Sequence, residues 1–237
     1  MKRPMMKTPP LTRDQVRRVD QIAMDQWGML GIVVMENAGR GAAEIIASIS
    51  RGGQVLILCG KGNNGGDGYV MARHLQIAGI DCQIVAVGNA NQLPSDARTN
   101  AEIAAAAGIP IEVVDQETAD LASLRGRFDR ADLIVDALLG TGAQGDPRGI
   151  YATLVNAANA SDATTIALDI PTGLDCDSGK PGSPTFRADH TITFVAAKVG
   201  FSAAQAADYL GTVHEVGIGV PRQVIAQAIA ADDSAQK

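Results

Sequence analysis

The alternation of strand and helix patterns after Gln54 constrains this chain more than any other feature. Short apolar runs, each closed by a Gly- or Asp-rich loop, alternate with longer alanine-rich stretches, the signature of repeated β–α units. The runs are QVLILC (54–59), CQIVAV (82–87), ADLIVDA (131–137), TTIALDI (164–170) and HTITFV (190–195), with a later edge candidate in TVHEVG (212–217). They lack polar/apolar alternation, so both faces of each strand are buried, as a parallel sheet demands. Helical patterns fill 67–79, 96–107, 149–160 and 220–231. Two more helices precede the sheet. Thr12 caps RDQVRRVDQIAMDQW, whose Val16, Val19, Ile22 and Ala23 share a face, and GIVVMENAGRGAAEIIASI follows. Its Gly39 and Gly41 predict close packing against a neighbour. The expected architecture is a three-layer α/β/α sandwich with a mostly parallel central sheet. It forms one domain over 11–231, between a proline-bearing flexible tail (1–10) and a polar tail (232–237).

In an open α/β sheet, ligands sit outside the carboxyl ends of the strands, and three loops there carry chemistry. In CGKGNNGGDGYVMARHL, Gly60, Gly62 and Gly65 satisfy G-x-G-x-x-G between a strand and a helix. Such glycines allow close backbone approach, and the helix start offers free N–H groups to an anion. Asn63, Asn64 and Asp67 crowd the same turn. A dinucleotide-binding site would add an acidic residue at the end of the second strand. That strand ends Val87-Gly88-Asn89, and Asp81 lies at its wrong end, so an NAD-dependent dehydrogenase becomes the lesser alternative. The second loop, DALLGTGAQGDPRG, has Asp136 at the strand end, then Gly140, Gly142, Gly145 and Asp146; the third, LDIPTGLDCDSG, has Asp169 and Thr172. The oxygen donors Asn64, Asp136 and Thr172 suit a hard cation, not zinc or iron. His74, His190 and His214 form no metal-binding motif and read as packing or surface residues. There is no nucleophile elbow and no P-loop.

Composition excludes other classes. The 20 Lys+Arg against 26 Asp+Glu give a net charge of −6, without the basic footprint that nucleic acid or anionic lipid attracts. Three widely spaced cysteines support neither a disulfide framework nor a zinc knuckle and point to a reducing, cytoplasmic setting. No apolar run approaches a membrane span, and MKRPMMKTPP lacks a signal core. The 26 glycines in a chain with eight aromatic residues (one Trp, three Tyr, four Phe) are an excess, which the three loops explain as a binding surface made from backbone.

Five segments in order, VMENAGR (34–40), GKGNNGGDGYVMARHL (60–75), VDALLGTG (135–142), LDIPTGLD (168–175) and TITFVAAKVGF (191–201), make the chain resemble the NAD(P)H-hydrate epimerases, the YjeF N-terminal domain proteins. The similarity runs from about Leu11 to Gly219. It implies a Rossmann-like, commonly dimeric protein that interconverts the R and S epimers of hydrated NADH and NADPH. By the same resemblance, the substrate lies against Asn63, Asn64, Gly65, Gly66 and Asp67, against Gly140, Thr141, Gly142, Ala143, Gln144, Gly145 and Asp146, and against Asp169. Asn64, Asp136 and Thr172 match positions that hold one potassium ion per subunit; the family usually has Ser where this chain has Thr172.

The carbon that carries the added hydroxyl is also bonded to the ring nitrogen, so its configuration is lost by expelling hydroxide or by opening the ring. Either path needs an acid and a base, a role expected of Asp169. Lys198, in AAKVGF, is a second candidate, contacting an amide or phosphate or else covering apolar surface. A non-catalytic nucleotide-binding or scaffold module is the main alternative, since a relative of this domain sits in an mRNA-decapping scaffold. The companion dehydratase, often fused after this domain, is expected on a separate protein because the chain ends ADDSAQK. VMENAGR either lines the pocket or packs the second helix.

Overall fold

The computed structural model describes residues 8–50, 52–115 and 121–235. Two helices, α1 (Arg13–Asp25) and α2 (Gly31–Ile49), lead into β1 (Val55–Cys59), α3 (Asn63–Ile77), β2 (Cys82–Val87), α4 (Ser95–Ala106), β3 (Ile111–Val114) and α5 (Leu121–Phe128). The chain continues through β4 (Leu133–Ala137), α6 (Ile150–Asn159), β5 (Thr164–Leu168), β6 (His190–Phe194), α7 (Ala207–Leu210), β7 (Thr212–Val216) and α8 (Arg222–Ala235). The start of α1 follows its sequence signal. Thr12 and Gln15 form a reciprocal capping box, with bonds of 3.2 and 2.9 Å, a device that contributes about 1 kcal/mol.

The sheet has the order β3-β2-β1-β4-β5-β6-β7, and all its pairings are parallel. The expected mostly parallel sheet is thus wholly parallel. Along β1 the side chains alternate between two cores: Val55, Ile57 and Cys59 pack under α2, α3 and α4, whereas Leu56 and Leu58 pack toward α5 and α6. Both faces are covered, which explains why the strand sequence shows no alternation. The strand order reverses between β1 and β4, so the loops after these strands border one crevice and the loop after β5 lies beside it.

Several details depart from the sequence expectation, among them the short helix α7, which has no counterpart in it. Strand β3 and helix α5 have no counterpart in it, because β3 is a short edge strand with Val113 exposed and shows no buried apolar run. Helix α3 begins at Asn63, not 67, so Asn63–Gly66 are helical, not loop. Helix α8 runs past 231 to Ala235 because alanine-rich sequence has no helix breaker there. Residues 1–7 of the tail, and 236–237, lie outside the described residues.

VMENAGR packs helices. Gly39 lets α2 press on α3, since a Cβ there would fall 2.4 Å from Val70 Cβ. Glu36 pairs with Arg73 and, at 2.7 Å, with His74, while Asn37 donates to the Ile218 carbonyl at 3.1 Å. His190 and His214 meet at 3.1 Å across β6 and β7, and the three cysteines are free. Among the described residues no helix is long and apolar enough to cross a membrane.

Candidate active site

The three loops converge as the topology requires. After β1 the chain enters α3 at Gly62 without a side-chain cap, so the first N–H groups of the helix point outward with its positive dipole end. Asn64, in the first turn, is buried. Its amide donates to the Leu168 carbonyl at 3.3 Å, and its Oδ1 has no hydrogen-bond partner. An orphaned buried acceptor of this kind is costly unless something outside the chain satisfies it.

Asp136 and Thr172 are fully buried and bonded to one another. The Thr172 hydroxyl donates to Asp136 Oδ1 and its N–H to Oδ2, both at 2.8 Å; Leu138 N–H adds a third bond at 3.0 Å. Burial pushes the Asp136 pKa up to about 6 even though these donors favour the charged form. No cationic side chain among the described residues forms an ion pair with it. A buried carboxylate lacking a counter-charge, a hydroxyl oxygen and an orphaned amide oxygen are donors of the chemical type that suits a hard cation. Thr172 is accommodated without exposure, its methyl group included.

Asp169 immediately follows β5, and its backbone lies in the left-handed region, with φ of 64°. One carboxylate oxygen accepts the Thr141 N–H at 3.0 Å, and the other is 2.8 Å from the Lys198 ammonium. Burial opposes its charge, but Lys198 and Thr141 outweigh burial and hold its pKa below the ordinary carboxylate value. Lys198 is itself buried, so it neither covers exposed apolar surface nor reaches out to a phosphate.

Two further carboxyls face this pair with the opposite tendency. Burial and the Asp169 charge raise Asp20 to about 6, against the pull of Lys198. Burial, Asp169 and Asp20 together raise Asp67 well above the usual range. One ionised carboxylate thus sits among carboxyls that resist ionisation, a disposition suited to acid–base chemistry.

Helix α1 forms a wall that the sequence reading missed. Arg13 donates through Nε to the Thr141 carbonyl at 2.8 Å and through Nη2 to Asp175 at 2.7 Å. Arg17 reaches the Gly142 carbonyl at 3.4 Å, and Asp20 follows on the same helix face. The spacing of these three is visible in the sequence, but polar residues at helical intervals read equally as a solvated face. Gly140, Ala143, Gln144, Gly145 and Asp146 line a cavity of about 250 Å³, as do Gly173 and Lys180. Asp146 also accepts the Ser183 N–H at 3.1 Å. Asn63 is exposed, Asp67 half-buried, and Gly65 and Gly66 are buried.

Residues 31–200 match the family model described as YjeF-related protein N-terminus. The chain is 53% identical over 227 residues, covering 96% of itself and 91% of the relative, to an NAD(P)H-hydrate epimerase of Rhodopirellula baltica. It is 35% identical to a bifunctional NAD(P)H-hydrate repair enzyme of Moorella thermoacetica, covering 91% of this chain and 41% of that one. The crystal structure of yeast ynu0 superposes with a TM-score of 0.79 at 19% identity, over 92% of this chain and 93% of that one, a likeness of fold.

Proposed function

The chain belongs to the YjeF-related protein N-terminus family, and from that premise we propose that it is an NAD(P)H-hydrate epimerase, an isomerase that interconverts the R and S hydrates of NADH and NADPH. The observation that carries the reading is the buried Asp169, paired with Lys198 and bonded to the backbone of Thr141 in the loop Gly140–Asp146. That loop and Asn63–Asp67 hold the substrate. Loss of configuration follows from expelling the hydroxyl. The C–O bond breaks with its electron pair to oxygen, which takes a proton from a carboxylic acid and leaves as water, while the ring-nitrogen lone pair closes C=N. Water returning to the other face gives its surplus proton to a carboxylate. Asp20 and Asp67 are the available donors, and Asp169 is the acceptor.

The test is incubation of mixed hydrate epimers with a dehydratase specific for one of them. Adding this protein should carry consumption from about one half to completion. A residual half, with the hydrates still bound, would instead support the non-catalytic module. A change of nicotinamide absorbance driven by a substrate alcohol would support a dehydrogenase. The bifunctional relatives associate the two repair activities in one chain, and here the dehydratase acts as the companion in the same pathway.

Asn64, Asp136 and Thr172 are the residues to hold one potassium ion per subunit. When bound, the ion supplies a fixed positive charge beside the substrate loops. Potassium chloride at neutral pH should therefore raise the melting temperature by about 5 °C over choline chloride, as expected for saturation well above Kd in a chain of this size. Asp136→Asn should abolish the difference; equal melting in both salts would remove the ion from this reading. The exposed Met24, Trp27, Leu30 and Val33 around the α1–α2 turn supply a contact surface for a homodimer.

A further inference from the structure

Two neighbouring strands end in the same unusual way. After β5, Asp169 takes a φ of 64°, and Ile170 N–H closes on the Leu168 carbonyl at 2.8 Å; after β6, Val195 takes a φ of 68°, and Ala196 N–H closes on Phe194 at 2.8 Å. These are three-residue turns with a left-handed centre, a strained form. At the second centre stands valine, a β-branched residue for which positive φ is a true outlier. Such strain costs about 1–3 kcal/mol and persists where the surroundings impose it.

The first turn sets the direction of the Asp169 carboxylate. The second turn brings two carbonyls onto Lys198. Its ammonium donates to Phe194 O at 3.0 Å, Ala196 O at 3.1 Å and Thr193 Oγ1 at 2.8 Å, and lies 2.8 Å from Asp169 Oδ1. The backbone of Lys198 is pinned from the other side: Leu11 N–H bonds to Ala197 O at 2.9 Å, and Val199 N–H bonds to Leu11 O at 3.0 Å. An ammonium has three donors and no acceptor, and four oxygens surround this one. Lys198 therefore has no lone pair to act as a base and no free N–H for a ligand. Nor does stability alone require it, since an apolar pair commonly serves as well as a buried ion pair.

We propose that Lys198 is a positioning residue, caged by the turn after β6 so that it holds Asp169 as an aimed carboxylate ready to accept a proton. The proposal rests on the reading of Asp169 as the proton acceptor. Asp67 from α3, Asp20 from α1 and Cys176 from the loop after β5 also face this pair. Burial opposes the ionisation of Asp169, and Lys198 is the cation that, with the Thr141 N–H, overcomes it; the Asp169 charge in turn disfavours ionisation of Asp20 and Asp67.

The test is a carbon-13 carboxyl NMR titration of Asp169 in the wild-type protein and in Lys198→Met, with Asp169→Asn assigning the signal. In Lys198→Met the titration midpoint should move up by about one to three pH units. The acid limb of kcat/KM should move with it, and kcat near neutral pH should fall about 100-fold with KM changed less than about threefold. A folded Lys198→Met protein with an unmoved midpoint overturns the proposal. If that variant does not fold, Thr193→Val, which keeps the lysine and removes one cage oxygen, should shift the midpoint in the same direction; no shift there overturns it equally. Failure of the underlying reading looks different: Asp169→Asn would retain full turnover while the NMR midpoint still responded to Lys198.

Discussion

Asp169→Asn lowers epimerisation by about three orders of magnitude, within the span of a lost acid–base group, and leaves KM nearly unchanged. The asparagine oxygen can still accept the Thr141 N–H, so the substrate loop keeps its anchor. What disappears is a proton acceptor and the partner of a fully buried ammonium. The second loss costs about 3–5 kcal/mol, which for a chain of this size lowers the melting temperature by about 10 °C. Turnover is therefore compared well below the melting range of the variant. The folded pKa of Asp169 is depressed, so its ionisation stabilises the fold above the unfolded value of about 3.9, and that stabilisation is lost as pH falls through the folded value. The stability gap between wild type and variant should accordingly close only in strongly acidic solution. Wild-type turnover by a folded Asp169→Asn protein would remove this residue from the chemistry.

Gly60→Ala destabilises the fold by a different route, backbone collision. A Cβ there would lie 1.8 Å from the Leu138 carbonyl oxygen and 2.7 Å from its carbon. The obstacle is backbone, which no rotamer change relieves. The strand ends of β1 and β4 are also tied at this point by the bond from Gly60 N–H to the Ala137 carbonyl, 2.9 Å long. Forcing them apart should cost about 3 kcal/mol or more, the upper end of overpacking effects, and should displace the loop that carries Gly140. Gly142 is the control, because a Cβ there meets nothing within 4 Å, so Gly142→Ala should melt like the wild type. Denaturant midpoints measure both; a wild-type midpoint for Gly60→Ala would contradict the close approach.

These two cases also separate what the sequence made legible from what it hid. Strands buried on both faces announced themselves as unbroken apolar runs, and the strand order then brought Asn64, Asp136, Asp169 and Thr172 to one edge. Edge strand β3, half solvated and four residues long, had no such signal. The glycines of the first loop were read as a ligand cradle, yet Gly60, Gly65 and Gly68 are required mainly by the chain itself: a Cβ at Gly65 would lie 2.0 Å from the Gly60 carbonyl, and one at Gly68 2.8 Å from Cys59 Sγ. Steric demand of this kind, whether from a nearby residue or, for Gly60, from the distant Leu138, looks the same in sequence as a glycine kept for a ligand. The same holds for Lys198, because a lysine in a chain gives no sign that a distant carboxylate and a strained turn will enclose it. Arg13 and Asp20 were hidden for the converse reason, since their spacing suits a solvated helix face as well as a site wall.

The placement of α1 has a consequence for how the molecule is made. This helix leaves the ribosome before every segment that receives it: Arg13 needs Thr141, Asp175 and Asp177, Leu11 needs Ala197 and Val199, and the face of Val19 and Ala23 needs Val224 and Ala228. At about 5–20 residues per second, the earliest helix waits some tens of seconds for the segments that receive it. During that interval its apolar face is open to chaperones and to other nascent chains. The Lys198–Asp169 pair cannot close before Lys198 has left the ribosome, so a ribosome-bound fragment ending before β6 would hold most of the sheet without that enclosed pair.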